Sequence, residues 1–224
     1  MAQQDQVMEA VMAYYQREKE KKLRFFRQRN LYVKPGQLLF TGSSLMEQFP
    51  ISEYCATEGV PLVAYNRGIG GYTTDEFLAA IDAMLLDVKP SKVFINIGTN
   101  DIRPMENGED WFEHLARNYR RILEIARKEL PEAVIYVMAY YPVNRTHPLA
   151  QRNPGFSIRT NENVDRANEM ARALAQELGC RYIDVNDGIK DEQGQLQLEH
   201  TVDGVHMDAV AYRAVFEALK PYLL

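Results

Sequence analysis

Residues 38–49 read LLFTGSSLMEQF, a short apolar run followed by a Gly-Ser-Ser turn and the start of a predicted helix. Glycine tolerates unusual backbone angles, and serine hydroxyls accept hydrogen bonds from the backbone N–H groups at helix N-termini. The stretch therefore predicts a strand, a tight turn and a helix. Its paired serines, Ser43 and Ser44, belong either to an ordinary turn or to a catalytic nucleophile, and the rest of the chain must decide between the two.

The apolar run at 37–41 is one of five runs of strand length in the chain. The others are PLVAYN (61–66), KVFINIG (92–98), AVIYVMAY (133–140) and RYIDV (181–185). Near-continuous apolar runs are typical of strands that are covered on both faces. They predict a sheet that is buried between two layers.

Longer segments with helical spacing lie between these runs. They are TTDEFLAAIDAMLLD (73–87), which begins with a threonine cap, EDWFEHLARNYRRILEIARKEL (109–130), which stops at Pro131, and RTNENVDRANEMARALAQELG (159–179), which ends on a glycine. Strand and helix alternate along the chain, and this pattern predicts a parallel sheet with helices on both faces, the α/β class.

Composition limits the classes of protein to which the chain can belong. Its 224 residues, 46% hydrophobic and 25% charged, fit one globular domain with a substantial core. The net charge of −5 argues against a nucleic-acid partner, since such proteins usually carry a basic excess. Cys55 and Cys180 lie far apart without metal-ligand spacing, so we expect no disulfide framework, no metal site and a reducing compartment.

The N-terminal segment MAQQDQVMEAVMAYYQREKEKK (1–22) lacks the apolar core and cleavage site of a signal peptide, and no stretch is long and apolar enough to span a bilayer. We expect a cytoplasmic location without stable membrane insertion. Residues 1–30 are predicted to form a helical extension packed on a single domain, 31–224. The basic run at 17–29 fits a docked helix with a solvated face better than an anionic membrane surface, because glutamates interrupt it.

Four polar motifs follow predicted strands, the position at which open parallel sheets bind their ligands. They are Gly42-Ser43-Ser44-Leu45, Asn66-Arg67-Gly68-Ile69-Gly70-Gly71, Gly98-Thr99-Asn100-Asp101 and Asp203-Gly204-Val205-His206. Each motif is weak alone. Together they supply a hydroxyl, an imidazole, a carboxylate and amide donors, which are the parts of a serine hydrolase.

These motifs resemble the four blocks of the SGNH or GDSL-type hydrolases, which are centred on Ser, Gly, Asn and His. The segment GIGGYTT is similar to the bacterial and platelet-activating-factor-acetylhydrolase-like branch, and the resemblance covers most of residues 37–222. It implies a three-layer α/β/α sandwich with a five-stranded parallel sheet, flavodoxin-like, and a hydrolase that uses no cofactor. One position departs from the pattern, because Ser43 stands where the family has Asp.

The resemblance places Ser44 at the nucleophile position. A serine hydroxyl needs a base within hydrogen-bond reach, and His206 is the candidate base. Asp203 precedes that histidine by three positions, so its carboxylate can orient the imidazole. The resemblance assigns the oxyanion donors to the backbone N–H groups of Ser44 and Gly71 and to the side-chain amide of Asn100.

The sequence also suggests a role, or two alternative roles, for several other side chains. His114 and His200 are predicted at the surface. Trp111 and Tyr72 either line the acyl pocket or fill the core. The proline-containing loop 140–158 is either a solvated connector or a substrate-facing loop, whose polar side chains would be Asn144, Arg145, His147, Gln151 and Arg152.

The substrate expected from the sequence is a small-molecule ester with a short acyl group, such as an acetylated sugar. No long apolar lid helix is evident, and long acyl chains need an extended apolar surface to bury each methylene. The alternatives are a lipid esterase of the lysophospholipase kind, a catalytically decayed binding protein on the same scaffold, and a nucleotide-phosphate cradle at GIGGYTT, whose glycine order is not the dinucleotide fingerprint. The sequence leaves the oligomeric state open, and a homo-oligomer is compatible with it.

Overall fold

A computed structural model describes the backbone of residues 2–224 and the side chains of residues 6–224. This part of the chain forms one parallel sheet of five strands in the order β2-β1-β3-β4-β5. The strands are β1 (Leu38–Gly42), β2 (Ala64–Gly68), β3 (Lys92–Asn96), β4 (Val134–Met138) and β5 (Arg181–Ile183). All five predicted strands exist, with ends shifted by a few residues.

Eight α-helices lie within the described residues. They are α1 (Ala2–Asn30), α2 (Ser44–Glu47), α3 (Ile51–Thr57), α4 (Thr74–Ala79), α5 (Trp111–Glu129), α6 (Pro148–Arg152), α7 (Asn161–Glu177) and α8 (Ala209–Leu223). Every residue of the interior strand β1 is buried, so the sheet is covered on both faces. The predicted three-layer α/β/α sandwich is confirmed.

A ladder of aromatic rings crosses the centre of the sheet. Phe40, Phe94 and Tyr136 lie at matching positions of β1, β3 and β4. Their rings stack with centroids 4.5 and 4.8 Å apart, in the offset-stacked range for aromatic pairs. Phe49 contacts the Phe40 ring edge-on from the segment after α2 and stacks on Tyr212 of α8. The ladder thereby connects the sheet to the helices beside the first polar motif.

Two glycines allow α2 and the turn before it to pack directly on backbone atoms. A Cβ atom at Gly42 would overlap the carbonyl oxygen of Asn96, and one at Gly68 would overlap the backbone of Glu47. Gly42 also has a φ of +151°, which side-chain-bearing residues rarely adopt. The short helix that begins at Ser44 is therefore seated on backbone atoms rather than on a layer of side chains.

The helix predicted over 73–87 is wrong in its second half. α4 ends at Ala79, and a π-helical turn follows at Asp82–Leu86. Two carbonyl groups of this turn accept hydrogen bonds from side chains outside it. Thr41 Oγ1 donates to Met84 O at 2.8 Å, and Asn30 Nδ2 donates to Ala83 O at 2.7 Å. Inserted side chains of this kind widen a helical turn.

The basic run of α1 is docked, as its charge pattern predicts. Phe26 is buried beneath the guanidinium of Arg67, and Lys22 pairs with Glu47 of α2. The division of the chain at residue 30 into an extension and a domain stays a prediction. Within residues 2–224, no helix combines the length and the hydropathy that crossing a bilayer requires.

The surface prediction for His114 is wrong. Its side chain is buried between α4 and α5, with Nε2 2.8 Å from Asp75 Oδ2 and Nδ1 3.0 Å from Glu109 Oε2. Burial alone would lower the pKa of His114, but the two carboxylates outweigh it and raise that pKa. His200 is half-buried, 3.1 Å from Asp208 Oδ2. The charged helix sequence around residue 114 gave no sign of these long-range partners.

Candidate active site

Ser44, His206 and Asp203 form a continuous chain of hydrogen bonds at the carboxyl edge of the sheet. Ser44 is the first residue of α2, directly after β1, and its Oγ lies 2.8 Å from His206 Nε2. The other ring nitrogen, Nδ1, lies 2.6 Å from Asp203 Oδ2. If Nδ1–H donates to the carboxylate, Nε2 is left as the acceptor for the serine proton. The structure thus brings Ser44 to the Asp203–His206 pair, which lies 162 positions further along the chain.

The Asp203 carboxylate is held in its ionised form. Its Oδ1 accepts hydrogen bonds from the backbone N–H groups of Val205 and His206, at 2.9 and 2.8 Å. Burial alone would raise the pKa of Asp203, but the hydrogen bonds from the His206 side chain and from the two backbone groups lower it to about 2. A negative charge therefore faces the imidazole at neutral pH.

The loop that carries Asp203 and His206 is braced by the segment after β4. Gly204 has a φ of +95°, and its carbonyl accepts a 2.8 Å hydrogen bond from Asn144 N. A Cβ at Gly204 would contact the Asn144 carbonyl oxygen at 2.5 Å, so the two backbones can meet only at a glycine. The Asn144 side chain in turn donates to Leu196 O at 2.8 Å. Loop 140–158 thus supports the catalytic loop from outside the substrate cavity.

Of the two alternatives for loop 140–158, the structure does not support a substrate-facing loop, because none of its residues lines this cavity. Asn144 is buried, and His147 accepts a hydrogen bond from Leu149 N at the start of α6. Arg145, Gln151 and Arg152 line a separate cavity of about 450 Å³. Local polarity suggested substrate contact, whereas the fold uses these groups to shape a supporting loop.

Three hydrogen-bond donors lie beside Ser44 Oγ in the same cavity. Among the described residues, the backbone N–H groups of Ser44 and Gly71 have no acceptor. Gly71 has a φ of +73° and exposes its backbone where a side chain would be strained. Asn100 Nδ2 donates one hydrogen to Tyr72 O at 3.0 Å, which leaves its second N–H available.

Asp101 fixes the turn that carries Asn100. Its carboxylate accepts the backbone N–H and the hydroxyl of Thr74, at the start of α4. Burial raises the pKa of Asp101 to about 6, although the hydrogen bonds from Thr74 act in the opposite direction. The turn after β3 is thereby tied to the segment that follows Gly71, and two candidate donors are held in one unit.

Glu47 is a candidate positioning residue that the sequence did not indicate. Its Oε2 accepts the backbone N–H of Gly70 at 2.7 Å, and its Oε1 pairs with Lys22 of α1. This bond orients the peptide directly before the Gly71 N–H. A glutamate at the end of a short helix gave no sequence signal, because its partners lie on two distant segments.

A cavity of about 620 Å³ contains the candidate catalytic groups. That size is typical of small-molecule sites. One side of the cavity is a wall formed by Met12, Tyr15, Lys19 and Lys22 of α1. Tyr72 and Trp111 do not line this cavity; both are buried, so they belong to the core.

Ser43, which stands at the family's Asp position, makes no side-chain hydrogen bond. Its Oγ is buried, and no described residue lies within hydrogen-bond distance of it. The backbone of Ser43 instead holds the turn, because its N–H donates to Asn96 O at 3.3 Å and its carbonyl accepts from Glu47 N at 2.9 Å. Of the two neighbouring serines, only Ser44 faces the imidazole.

Comparisons with known proteins identify the family. The model of the GDSL-like lipase/acylhydrolase family matches residues 50–214, a segment that holds Gly71, Asn100, Asp203 and His206 and begins after Ser44. The chain belongs to the GDSL-like lipase/acylhydrolase family. Members of this family are ester hydrolases, so the chain is a carboxylic ester hydrolase.

Individual relatives of this acylhydrolase cover most of the chain. Platelet-activating factor acetylhydrolase IB subunit alpha1 from Bos taurus is 27% identical over 193 residues, 85% of this chain and 76% of that protein. The solved structure of a candidate platelet activating factor from Streptococcus pneumonia is 29% identical with a TM-score of 0.86, covering 98% of this chain and 99% of that one. Axe2, an acetylxylan esterase from Geobacillus stearothermophilus, shares the fold at a TM-score of 0.65 and 17% identity, over 85% of this chain and 95% of its own.

We predict that Glu47→Ala lowers kcat roughly tenfold or more, because loss of the bond to Gly70 N releases the peptide beside Gly71. Glu47→Gln keeps an acceptor oxygen and should retain most of kcat. The check is steady-state hydrolysis of p-nitrophenyl acetate, with kcat and KM separated. Equal activity of the alanine and glutamine variants, accompanied only by a lower unfolding temperature in the alanine variant, would contradict this role.

Proposed function

We propose that this acylhydrolase cleaves carboxylic esters of short acyl groups through an acyl-serine intermediate on Ser44. The observation that carries the proposal is the unbroken chain from Ser44 Oγ to His206 Nε2, 2.8 Å, and from His206 Nδ1 to Asp203 Oδ2, 2.6 Å. A nucleophile, a base and an orienting carboxylate in this order are the parts that acyl transfer needs. The intact chain also argues against a decayed binding protein.

In the first half-reaction, Ser44 Oγ attacks the ester carbonyl carbon while its proton moves to His206 Nε2. Asp203 stabilises the imidazolium that forms. Collapse of the tetrahedral intermediate breaks the carbon–oxygen bond to the alcohol, which leaves with the proton from His206. In the second half-reaction, water attacks the acyl-serine with His206 again accepting a proton, and the carboxylic acid is released.

The oxyanion of the tetrahedral intermediate is assigned to three donors. They are the backbone N–H groups of Ser44 and Gly71 and the free N–H of the Asn100 amide. Glu47 and Asp101 hold these donors in place before substrate arrives, which is the condition under which such groups contribute most to the rate.

Two observations support a short acyl group. The cavity is lined in part by charged and polar side chains, including Glu47, Gln48, Thr99, Arg103 and Arg159, which a long apolar chain would strip of water without replacing their hydrogen bonds. The relative from Bos taurus is named an acetylhydrolase, which specifies the smallest common acyl group.

A lipid ester is the second candidate, and α1 is the observation that favours it. Apolar side chains of α1 near the cavity are exposed, including Val11, Met12 and Tyr15. They offer a surface along which an apolar alcohol chain could lie. An esterase that acts on a lipid with a short acyl group would account for both the polar lining of the cavity and the exposed apolar side chains of α1.

The remaining parts of the proposal concern location and partners. Cys55 and Cys180 are both free, which supports a reducing, cytoplasmic location. The acidic chain favours a small-molecule substrate over nucleic acid. A homo-oligomer stays compatible with the structure.

The two serines provide a matched pair for the nucleophile. We predict that Ser44→Ala lowers kcat by roughly three orders of magnitude or more. Ser43→Ala should retain most activity, because the Ser43 hydroxyl makes no hydrogen bond among the described residues. Initial rates with p-nitrophenyl acetate, together with mass spectrometry of a fluorophosphonate adduct, check both. Greater damage from Ser43→Ala would show that the nucleophile is misassigned.

Asn100→Ala is expected to reduce kcat roughly a hundredfold with little change in KM, since the oxyanion exists only beyond the ground state. The exposed Asn107 provides a control amide on the following turn, and Asn107→Ala should leave kcat unchanged. A parallel rise in KM that accounts for the whole loss would count against an oxyanion role.

Acyl length separates the two candidate substrates. Across p-nitrophenyl acetate, butyrate, octanoate and palmitate, kcat/KM is expected to fall from acetate onward, because the polar lining cannot bury added methylenes. Ser44→Ala supplies the background rate for each ester. A rise through octanoate would exclude the short-acyl proposal and leave the hydrolase mechanism intact.

A further inference from the structure

Arg159 is a buried cation in the wall of the catalytic cavity. It lies between β4 and α7, directly before the residue that caps α7, and it lines the same cavity as Ser44 and His206. Only 9% of its surface is exposed. A guanidinium offers five N–H donors in a planar fork, so a buried arginine normally has several acceptors.

Arg159 lacks such acceptors within the described residues. Its Nε is buried without a hydrogen-bond partner, and no carboxylate of residues 6–224 lies within ion-pair distance of the guanidinium. It makes a cation–π contact, with the guanidinium carbon 4.9 Å from the centre of the Phe156 ring, and this contact supplies no hydrogen-bond acceptor oxygen. A buried charge without hydrogen-bond acceptors is costly in free energy, unless a bound group from outside the chain supplies those acceptors.

The nearest acidic groups are engaged elsewhere. Asp203 accepts hydrogen bonds from His206 and its own loop, and Asp101 accepts from Thr74. Burial lowers the pKa of Arg159 to about 10, while these two carboxylates act in the opposite direction. The guanidinium therefore stays charged at neutral pH without being neutralised by a paired carboxylate.

The charges along the cavity favour an anion beside Arg159. Lys19 and Lys22 are paired with Glu76 and Glu47. Arg103, which is exposed at the rim, has no ion-pair partner among the described residues and faces the same cavity. Two unpaired guanidinium groups thus border the space in which a substrate would lie.

We propose that Arg159 binds a carboxylate or phosphate group on the alcohol part of the ester substrate, with Arg103 assisting at the rim. The inference rests on the proposed function, because a short acyl group has no room for a second charged group and the anion must belong to the alcohol. Both oxyanions match the arginine fork, which binds them through paired hydrogen bonds. The substrate class is therefore anionic short-acyl esters.

The test compares esters that differ in charge. 3-Acetoxypropanoate and 3-acetoxypropanamide are nearly isosteric, and 2-acetoxyethyl phosphate supplies the phosphate arm. The wild-type protein should cleave at least one anionic ester with kcat/KM roughly 10- to 100-fold above the amide, the range of a charge-assisted hydrogen bond. Whichever anion has the higher ratio identifies the group for which the site is shaped.

Variants assign the preference to Arg159. Arg159→Gln should abolish the anion-to-amide ratio while hydrolysis of neutral p-nitrophenyl acetate stays within a few-fold of wild type, and Arg159→Lys should restore part of the ratio. Arg152→Gln, an exposed arginine outside this cavity, is the matched control and should keep the full ratio. A wild-type ratio near one, or a ratio that survives Arg159→Gln, overturns the proposal, as does an equal loss on every ester.

Two measurements keep the proposal testable if a variant or the hydrolysis itself fails. If Arg159→Gln does not fold, competitive inhibitors can be compared on the wild-type protein. 3-Hydroxypropanoate must then inhibit roughly tenfold more strongly than 3-hydroxypropanamide, and equal inhibition overturns the anion site. Should no ester be cleaved, calorimetric binding of 3-acetoxypropanoate to Ser44→Ala, lost in Ser44→Ala with Arg159→Gln, would support the anion site while the hydrolase proposal falls. No binding would overturn both.

Discussion

The contact between α2 and the sheet is the constraint on which the rest of the site depends. The absence of a side chain at Gly68 lets the backbone of this short helix lie against the end of β2, and its absence at Gly42 lets the turn before the helix lie against the backbone of Asn96. Ser44 therefore lies at a fixed position after the end of β1, within hydrogen-bond distance of His206. An alanine at either glycine would have to displace backbone atoms, and the distance from Ser44 to His206 would change with them.

Each candidate catalytic group lies on a turn or loop that hydrogen bonds tie to another segment of the chain. Asn66 of β2 donates to Met46 O at 2.6 Å and so anchors the end of α2. Glu47 holds the glycine turn, Asp101 holds the turn of Asn100, and Asn144 holds the loop of His206. The conformational entropy of these groups is lost during folding, so substrate binding requires little further rearrangement of the site.

The sequence predicted the elements whose signals are local. Apolar runs located the five strands, and the four polar motifs located the groups that meet at the carboxyl edge of the sheet. It failed where a side chain's surroundings come from distant segments. His114 lies in a charged helix yet is buried against Asp75, loop 140–158 looks substrate-facing yet braces Gly204, and Arg159 reads as an ordinary residue before a helix cap. The π-helical turn was missed for the same reason, because its cause lies on β1 and α1.

The hydrogen bond between Ser44 and His206 joins residues 162 positions apart in the chain. α8 closes over it from the C-terminal side, where the Tyr212 hydroxyl donates to Leu45 O at 2.9 Å. Contacts of such long sequence separation form late, since the entropy of closing the loop must be met first. During synthesis, a nascent chain still lacking residue 206 has the proposed nucleophile, Ser44, but not the proposed base. The first catalytic turnover after refolding or translation can therefore occur only once the whole sheet is complete, whereas signals of secondary structure and collapse appear earlier.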